Sequence, residues 1–282
     1  MNISNQTYKE LAIPYFKEVF DCIDEVMIKL NVPYYLIGAS AVALNLLRDG
    51  IKPSRGTKDI DFAIMISSIQ EFESIVEELV KFGFNKVQAP WTLYHHKFNT
   101  VIDLLPFGEI EEKFTVNFTQ RNTYLHVLGL TEVLQEPETI KIEEKSVQIP
   151  SLPGMVILKL IAWSDRPEDR GNDLYDILRI IEHYFDLNFD EIVEHHFDTF
   201  PDHDKLDQFK IAARVLGRKA SKFLSVSKAI NDRILKTINE NVVNVEKSAI
   251  AKQWIRDKDW DLKYAVEILE ELKKGLTEIK SL

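Results

Sequence analysis

The segment Arg55-Gly56-Thr57-Lys58-Asp59-Ile60-Asp61-Phe62-Ala63-Ile64-Met65-Ile66 changes character at Asp59. Before it runs a loop, Arg48 to Lys58, holding Gly50, Gly56 and Pro53, the punctuation of a surface connection. After it, Ile60, Phe62, Ile64 and Ile66 alternate with Asp59, Asp61, Ala63 and Met65, the period of a strand. Residues two apart on a strand share a face, so Asp59 and Asp61 stand side by side. Adjacent carboxylates repel unless a cation neutralises them, and Mg2+ is commonly held by one or two carboxylates together with substrate phosphates. A third acid, Asp103 in Val101-Ile102-Asp103-Leu104-Leu105, lies in an apolar strand that can pair alongside. A lone carboxylate buried there is costly, which favours a metal or proton-transfer role. Three acids on neighbouring strands fit metal-assisted phosphoryl transfer, whereas Asp59-x-Asp61 alone fits any solvated strand face.

Working outward, Tyr34-Tyr35-Leu36-Ile37 reads as a strand that turns at Gly38 into a helix from Ala39 to about Leu47. Such a helix start offers free N–H groups to an anion, and Ser40 can cap the helix or donate to a phosphate. Helical spacing predicts further helices from Tyr8 to Leu30, weakened near Pro14, and from Ile69 to Phe82, with Gly83 as its cap. Thr92–Phe98 and Val101–Leu105 read as a hairpin turning at Asn99-Thr100. Shorter β segments are expected within 113–127 and 138–149. Beyond Pro150 the periodicity is helical, ending in a charged amphipathic helix over 259–280. The expected domains are 1–150 and 151–282, in an α+β fold.

The chain has 282 residues, 45% hydrophobic and 28% charged, the balance of an ordinary globular protein. The one cysteine, Cys22, excludes an internal disulfide and fits a reducing compartment. No basic-then-apolar leader opens the chain and no apolar run nears the ~20 residues of a membrane span, so a cytoplasmic location is expected. The net charge of −10 argues against a protein that coats nucleic acid over its whole surface. Between Lys205 and Lys236, however, nine basic residues meet only Asp207 and Asp232, a local excess of seven that leaves −17 for the rest. That stretch reads either as a polyanion-binding face or as a solvated one neutralised by the acidic remainder. His95 and His96 alternate faces and read as structural or surface residues. His195, His196 and His203, with Asp198, Asp202 and Asp204, fit no metal spacing and read as a polar loop.

Gly38-Ala39-Ser40-Ala41 followed by Arg55-Gly56-Thr57-Lys58-Asp59-Ile60-Asp61-Phe62 resembles the nucleotidyltransferase superfamily of polymerase-β-type fold. More narrowly it is similar to AbiEii-like toxin nucleotidyltransferases. Lys159, then Asp165-Arg166, then Asn172-Asp173-Leu174-Tyr175-Asp176-Ile177 are similar to that family's helical motif, and Val215-Leu216-Gly217-Arg218 to a phrase of its helical domain. The resemblance covers roughly residues 30–240. It departs at Ala39, where the family turn has a second glycine; alanine resists positive φ and sets a Cβ near any phosphate.

The resemblance implies a nucleotidyltransferase-like mixed sheet with flanking helices plus a C-terminal helical domain, the nucleotide lying in a cleft between the two. It implies Mg2+ or Mn2+ on Asp59, Asp61 and Asp103, with Asp103 also helping to deprotonate the acceptor hydroxyl. It further implies an NTP such as ATP as substrate, with Gly38 and Ser40 on the β- and γ-phosphates and Lys159 neutralising phosphate charge. Arg55 would meet phosphate or acceptor, and Thr57 would orient the Asp59 loop. Asp173 and Asp176 would orient Lys159 or Arg166 or meet the nucleotide; three apart on a helix, they also fit simple pairing with Arg170 and Arg179. The reaction implied is attack of a hydroxyl on the α-phosphorus with release of pyrophosphate. The acceptor would be RNA, met through Lys205–Lys236, and a separately encoded antitoxin is a further implied partner. The rival readings are a small-molecule nucleotidyltransferase, acting on an antibiotic or metabolite, and a non-catalytic nucleotide-binding relative.

Overall fold

Pro14 decides where the first helix begins. A helix from Tyr8 would lose a hydrogen bond at Pro14, and the observed chain breaks there. A 3-10 turn spans Tyr8–Leu11, Tyr15 takes a left-handed φ of 57°, and helix α1 starts only at Phe16, running Phe16–Leu30. The computed structural model describes residues 8–11, 13–53, 55–57, 59–142, 144–201, 205–256 and 258–278. Two compact units divide the chain, Met1–Ser151 and Leu152–Leu282.

The first unit continues with β1 (Tyr34–Ile37), α2 (Gly38–Leu47), β2 (Asp59–Met65), α3 (Ile69–Lys81), β3 (Phe84–Lys86), β4 (Thr92–His95) and β5 (Thr100–Phe107). A mixed sheet of order β1-β2-β5-β4-β3 joins the strands, parallel only between β2 and β5. Ile60, Phe62 and Ile64 of β2, with their partners Leu36, Ile102 and Leu104, are fully buried. They make one apolar face, and Phe62 packs on Phe20 of α1 with ring centroids 6.5 Å apart. Each such side chain contributes about 2 kcal/mol by leaving water. Odd-numbered residues of β2 point the other way, which carries Asp59 and Asp61 out of the core. Helix α3 is set by Ser68, whose hydroxyl accepts from the Glu71 N–H, while the Glu71 carboxylate accepts from the Ser67 N–H at 2.7 Å. The unit closes with β6 (Thr115–Phe118), β7 (Thr123–His126), the one-turn α4 (Leu130–Val133), β8 (Glu138–Ile142) and β9 (Lys145–Ile149), two further hairpins.

The β4–β5 turn differs from the sequence expectation. Strand β4 stops at His95, and residues 96–99 make the turn, with Asn99 at φ 48°. The cause is His95, buried and clamped: its Nε2 lies 3.0 Å from the Phe82 carbonyl and its Nδ1 accepts from the Phe98 N–H at 3.2 Å.

The second unit, among the described residues, is helical: α5 (Leu152–Asp165), α6 (Gly171–Leu187), α7 (Phe189–His195), α8 (Gln208–Val226), α9 (Lys228–Val242), α10 (Ala249–Trp254) and α11 (Leu262–Thr277). Helices α8 and α11 touch backbone to backbone. A Cβ on Gly217 would lie 2.3 Å from the Leu272 carbonyl oxygen, and one on Gly275 would lie 2.0 Å from that of Arg214. No helix among the described residues is long and apolar enough to cross a membrane. Mixed sheet, flanking helices and C-terminal helical region make this an α+β protein.

Candidate active site

The residues that share the exposed side of the sheet meet in one row. Strand register sets Ile37 of β1 opposite Asp61 of β2, Asp61 beside Asp103 of β5, and Asp103 opposite Thr92 of β4. Register partners project from the same face, so Asp61 and Asp103 stand next to each other across a strand spacing of about 4.8 Å. Thr92 donates its hydroxyl to Asp103 Oδ1 at 2.5 Å. Asp59 shares their face but sits at the exposed head of β2. Thr57 holds that head in place: its hydroxyl donates to the Asp59 carbonyl at 3.1 Å and accepts from the Asp59 N–H at 3.4 Å. Arg55 is half-buried in the preceding loop. Lys58, part of the same motif, lies outside the described residues.

Gly38 brings the helix turn against this row. Its φ is 66°, and a Cβ built on it would stand 2.1 Å from Asp61 Oδ2. Only glycine leaves room for the Asp61 carboxylate there. Ala39 is not among the residues of positive φ, so alanine at the second position of the turn carries no backbone strain. Ser40 is wholly buried in the first turn of α2, and its hydroxyl oxygen has no hydrogen-bond partner among the described residues. Such an orphaned donor is uncommon in a folded protein.

The chemistry of this row fits a hard divalent cation that keeps part of its shell for water or phosphate, since it offers two adjacent carboxylates. The structure does not assemble a closed cage. Among the described residues no three His, Cys, Asp or Glu side chains are gathered to hold a metal, so Asp59 does not complete a ready trio with Asp61 and Asp103. Asp202, His203 and Asp204, read from sequence as part of a polar loop, lie outside the described residues.

Lys159 has a different setting. It sits on the apolar face of α5, nearly fully buried, and its ammonium donates to Asp176 at 2.7 Å and to Asp173 at 3.0 Å, both on α6. Burial pushes the ammonium towards neutrality, but the charges and hydrogen bonds of Asp176 and Asp173 outweigh it and hold its pKa above the ordinary lysine value. Arg170 approaches Asp173 at 3.6 Å. Lys159 is thus doubly compensated inside its own unit, and Asp173 and Asp176 serve it directly.

The basic stretch from Lys205 to Lys236 is also largely compensated. Lys210 pairs with Glu267, Arg214 with Glu278, Lys219 with Glu191, Lys228 with Asp232, Arg233 with Asp165 and Lys236 with Glu240. Arg218 is almost completely buried between Asp198 and Glu278, at 2.5 and 2.6 Å. At least seven of its nine cations are therefore in ion pairs among the described residues, and the local excess read from sequence is not an unmatched positive face.

Thr92 is the residue of the row that sequence reasoning missed. A turn at Asn99-Thr100 would put His96 opposite Asp103; the true turn, over 96–99, shifts the partner to Thr92.

Comparison with known proteins gives the family. The family model described as nucleotidyl transferase AbiEii toxin, type IV toxin–antitoxin system, matches residues 33–265. The chain belongs to that family and is a nucleotidyltransferase. No curated protein matches it. Among the solved structures that resemble it loosely are two nucleotidyltransferase-like ones. One is an antigenic nucleotidyltransferase-like protein from Paracoccidioides brasiliensis, with TM-score 0.39 and 18% identity over 81% of this chain and 95% of that one. The other is the antibiotic-resistance factor ANT(2'')-Ia, with TM-score 0.34 and 12% identity over 64% of this chain and 96% of that one.

Proposed function

We propose that the chain transfers a nucleoside monophosphate from an NTP to a hydroxyl group of RNA, with Asp61 and Asp103 as the acids at the reacting centre. The observation that carries this reading is the apposition of the Gly38 turn to Asp61, with Asp103 in register beside it. It sets backbone donors of a helix start next to two carboxylates, the pairing a polyphosphate with its counter-cation requires. The buried Ser40 hydroxyl, unpartnered among the described residues, is a donor for a phosphate oxygen. Asp61 and Asp103, with Asp59 at the strand head, would hold Mg2+ or Mn2+; bound there, the ion supplies charge neutralisation for the triphosphate. The acceptor hydroxyl attacks the α-phosphorus, its proton passing to a carboxylate oxygen of Asp103, as the bond to the pyrophosphate leaving group breaks. Catalysis is then chiefly positioning and electrostatic stabilisation. The toxin–antitoxin family supports an NTP as substrate and a separately encoded antitoxin as partner.

The compensated charges of the 205–236 stretch favour a second reading, a small cationic acceptor drawn to a chain of net charge −10. Incubating the full chain with each labelled NTP and Mg2+, with total RNA or with aminoglycosides, separates the two. Label on RNA that is lost in Asp61→Asn supports the first; label on the drug alone supports the second. No label on either acceptor with any NTP removes both.

A further inference from the structure

Thr92 lies outside the motifs of the sequence and has no family role carried over to it. It opens β4 at the one position opposite Asp103 and gives its hydroxyl hydrogen to Asp103 Oδ1. The backbone there is fixed as well, because Leu104 N–H donates to the Trp91 carbonyl at 2.8 Å, one residue along on both strands. A β-branched side chain in a strand has few χ1 options, so the donor stays aimed. Asp61, a like charge, stands on the other side of Asp103, and a hydroxyl donor against Asp103 offsets their repulsion. A lysine or arginine at position 92 would also steady the carboxylate, but it would bring a positive charge that competes with a cation. A hydroxyl occupies one lone pair and leaves the negative charge of the site intact.

We propose that Thr92 is a positioning residue, orienting the Asp103 carboxylate for cation binding. This rests on the reading of Asp61 and Asp103 as the cation site. The test uses the full chain and Mn2+ alone as probe, with affinity read by calorimetry or electron paramagnetic resonance. The variants are Thr92→Val, which keeps the shape and strand preference, Thr92→Ser, which keeps the hydroxyl, and Asp61→Asn and Asp103→Asn. Losing a hydrogen bond to a charged group predicts that T92V binds Mn2+ at least about tenfold more weakly, while T92S stays within about twofold of the parent. In transfer assays T92V loses kcat while KM for NTP holds. If D103N loses Mn2+ and T92V does not, the positioning role falls and the cation site stands. If T92V and T92S weaken equally alongside lowered melting temperatures, Thr92 is structural only and the proposal fails. If D61N and D103N both bind Mn2+ like the parent, the cation site itself is refuted.

Discussion

Replacing Gly38 by alanine puts a methyl group where the Asp61 carboxylate now sits. The built Cβ lies 2.1 Å from Asp61 Oδ2 and 2.9 Å from its Cγ, against a closest real approach of about 3.0 Å, so the carboxylate has to retreat by about 1 Å. Holding an L-residue at φ 66° adds about 1–2 kcal/mol of backbone strain. Because Asp61 is a side chain at the half-open end of β2, it yields more cheaply than backbone would, and the stability loss stays near 1–3 kcal/mol. The functional loss is larger, since about 1 Å of misplacement at a reacting centre can cost roughly a hundredfold in rate. Urea denaturation, Mn2+ calorimetry and steady-state transfer of labelled nucleotide, run on one preparation of Gly38→Ala, measure the two effects separately. A folded variant with weakened Mn2+ binding and about a hundredfold slower transfer is expected. Parental affinity and rate in that variant would show that the turn and the carboxylate work independently, and the argument from their contact would be lost.

Lys159→Met strands two carboxylates beside an apolar helix face and is expected to destabilise by about 3–5 kcal/mol, whereas adding Asp173→Asn and Asp176→Asn recovers most of the loss in denaturant titrations. Gly275→Ala gains about 1 kcal/mol of helix preference but drives a methyl into the Arg214 carbonyl, so a net loss of at least about 2 kcal/mol is expected; an unchanged urea midpoint would contradict the close packing of α8 on α11. Burial pushes the Glu278 carboxyl up, yet hydrogen bonds from Arg218 and Arg214 hold its pKa below the ordinary 4.5. Its stabilising contribution is therefore complete above about pH 4.5 and is lost as pH falls through the lowered folded value, and Glu278→Gln should flatten that acid limb of the pH–stability curve.

Legibility from sequence followed the range of the forces involved. Strand β1, helix α2, strand β2 and helix α3 were readable because period and glycine punctuation are local, and Asp59, Asp61 and Gly38 came with them. Apolar spacing continues back past Pro14 to Tyr8, but the helical backbone does not, and α1 starts at Phe16. Strand β3, only Phe84–Lys86, is too short to show a period. The β4–β5 register depended on a buried histidine whose partners, Phe82 and Phe98, are set by packing, and Thr92 was missed with it. Charge sums leave the 205–236 stretch open between its two readings, since Lys210 meets Glu267 and Arg218 meets Glu278, acids some sixty positions away.

That long-range answering of charge makes the couple, not the single residue, the unit on which substitution acts. An acid at 218 would leave Asp198 and Glu278 facing a third negative group where the Arg218 side chain is now buried, and a compensating cation at either position would relieve it. Related chains that reverse one end should thus carry the mirror change at the other, a covariation traceable without any knowledge of what the enzyme modifies.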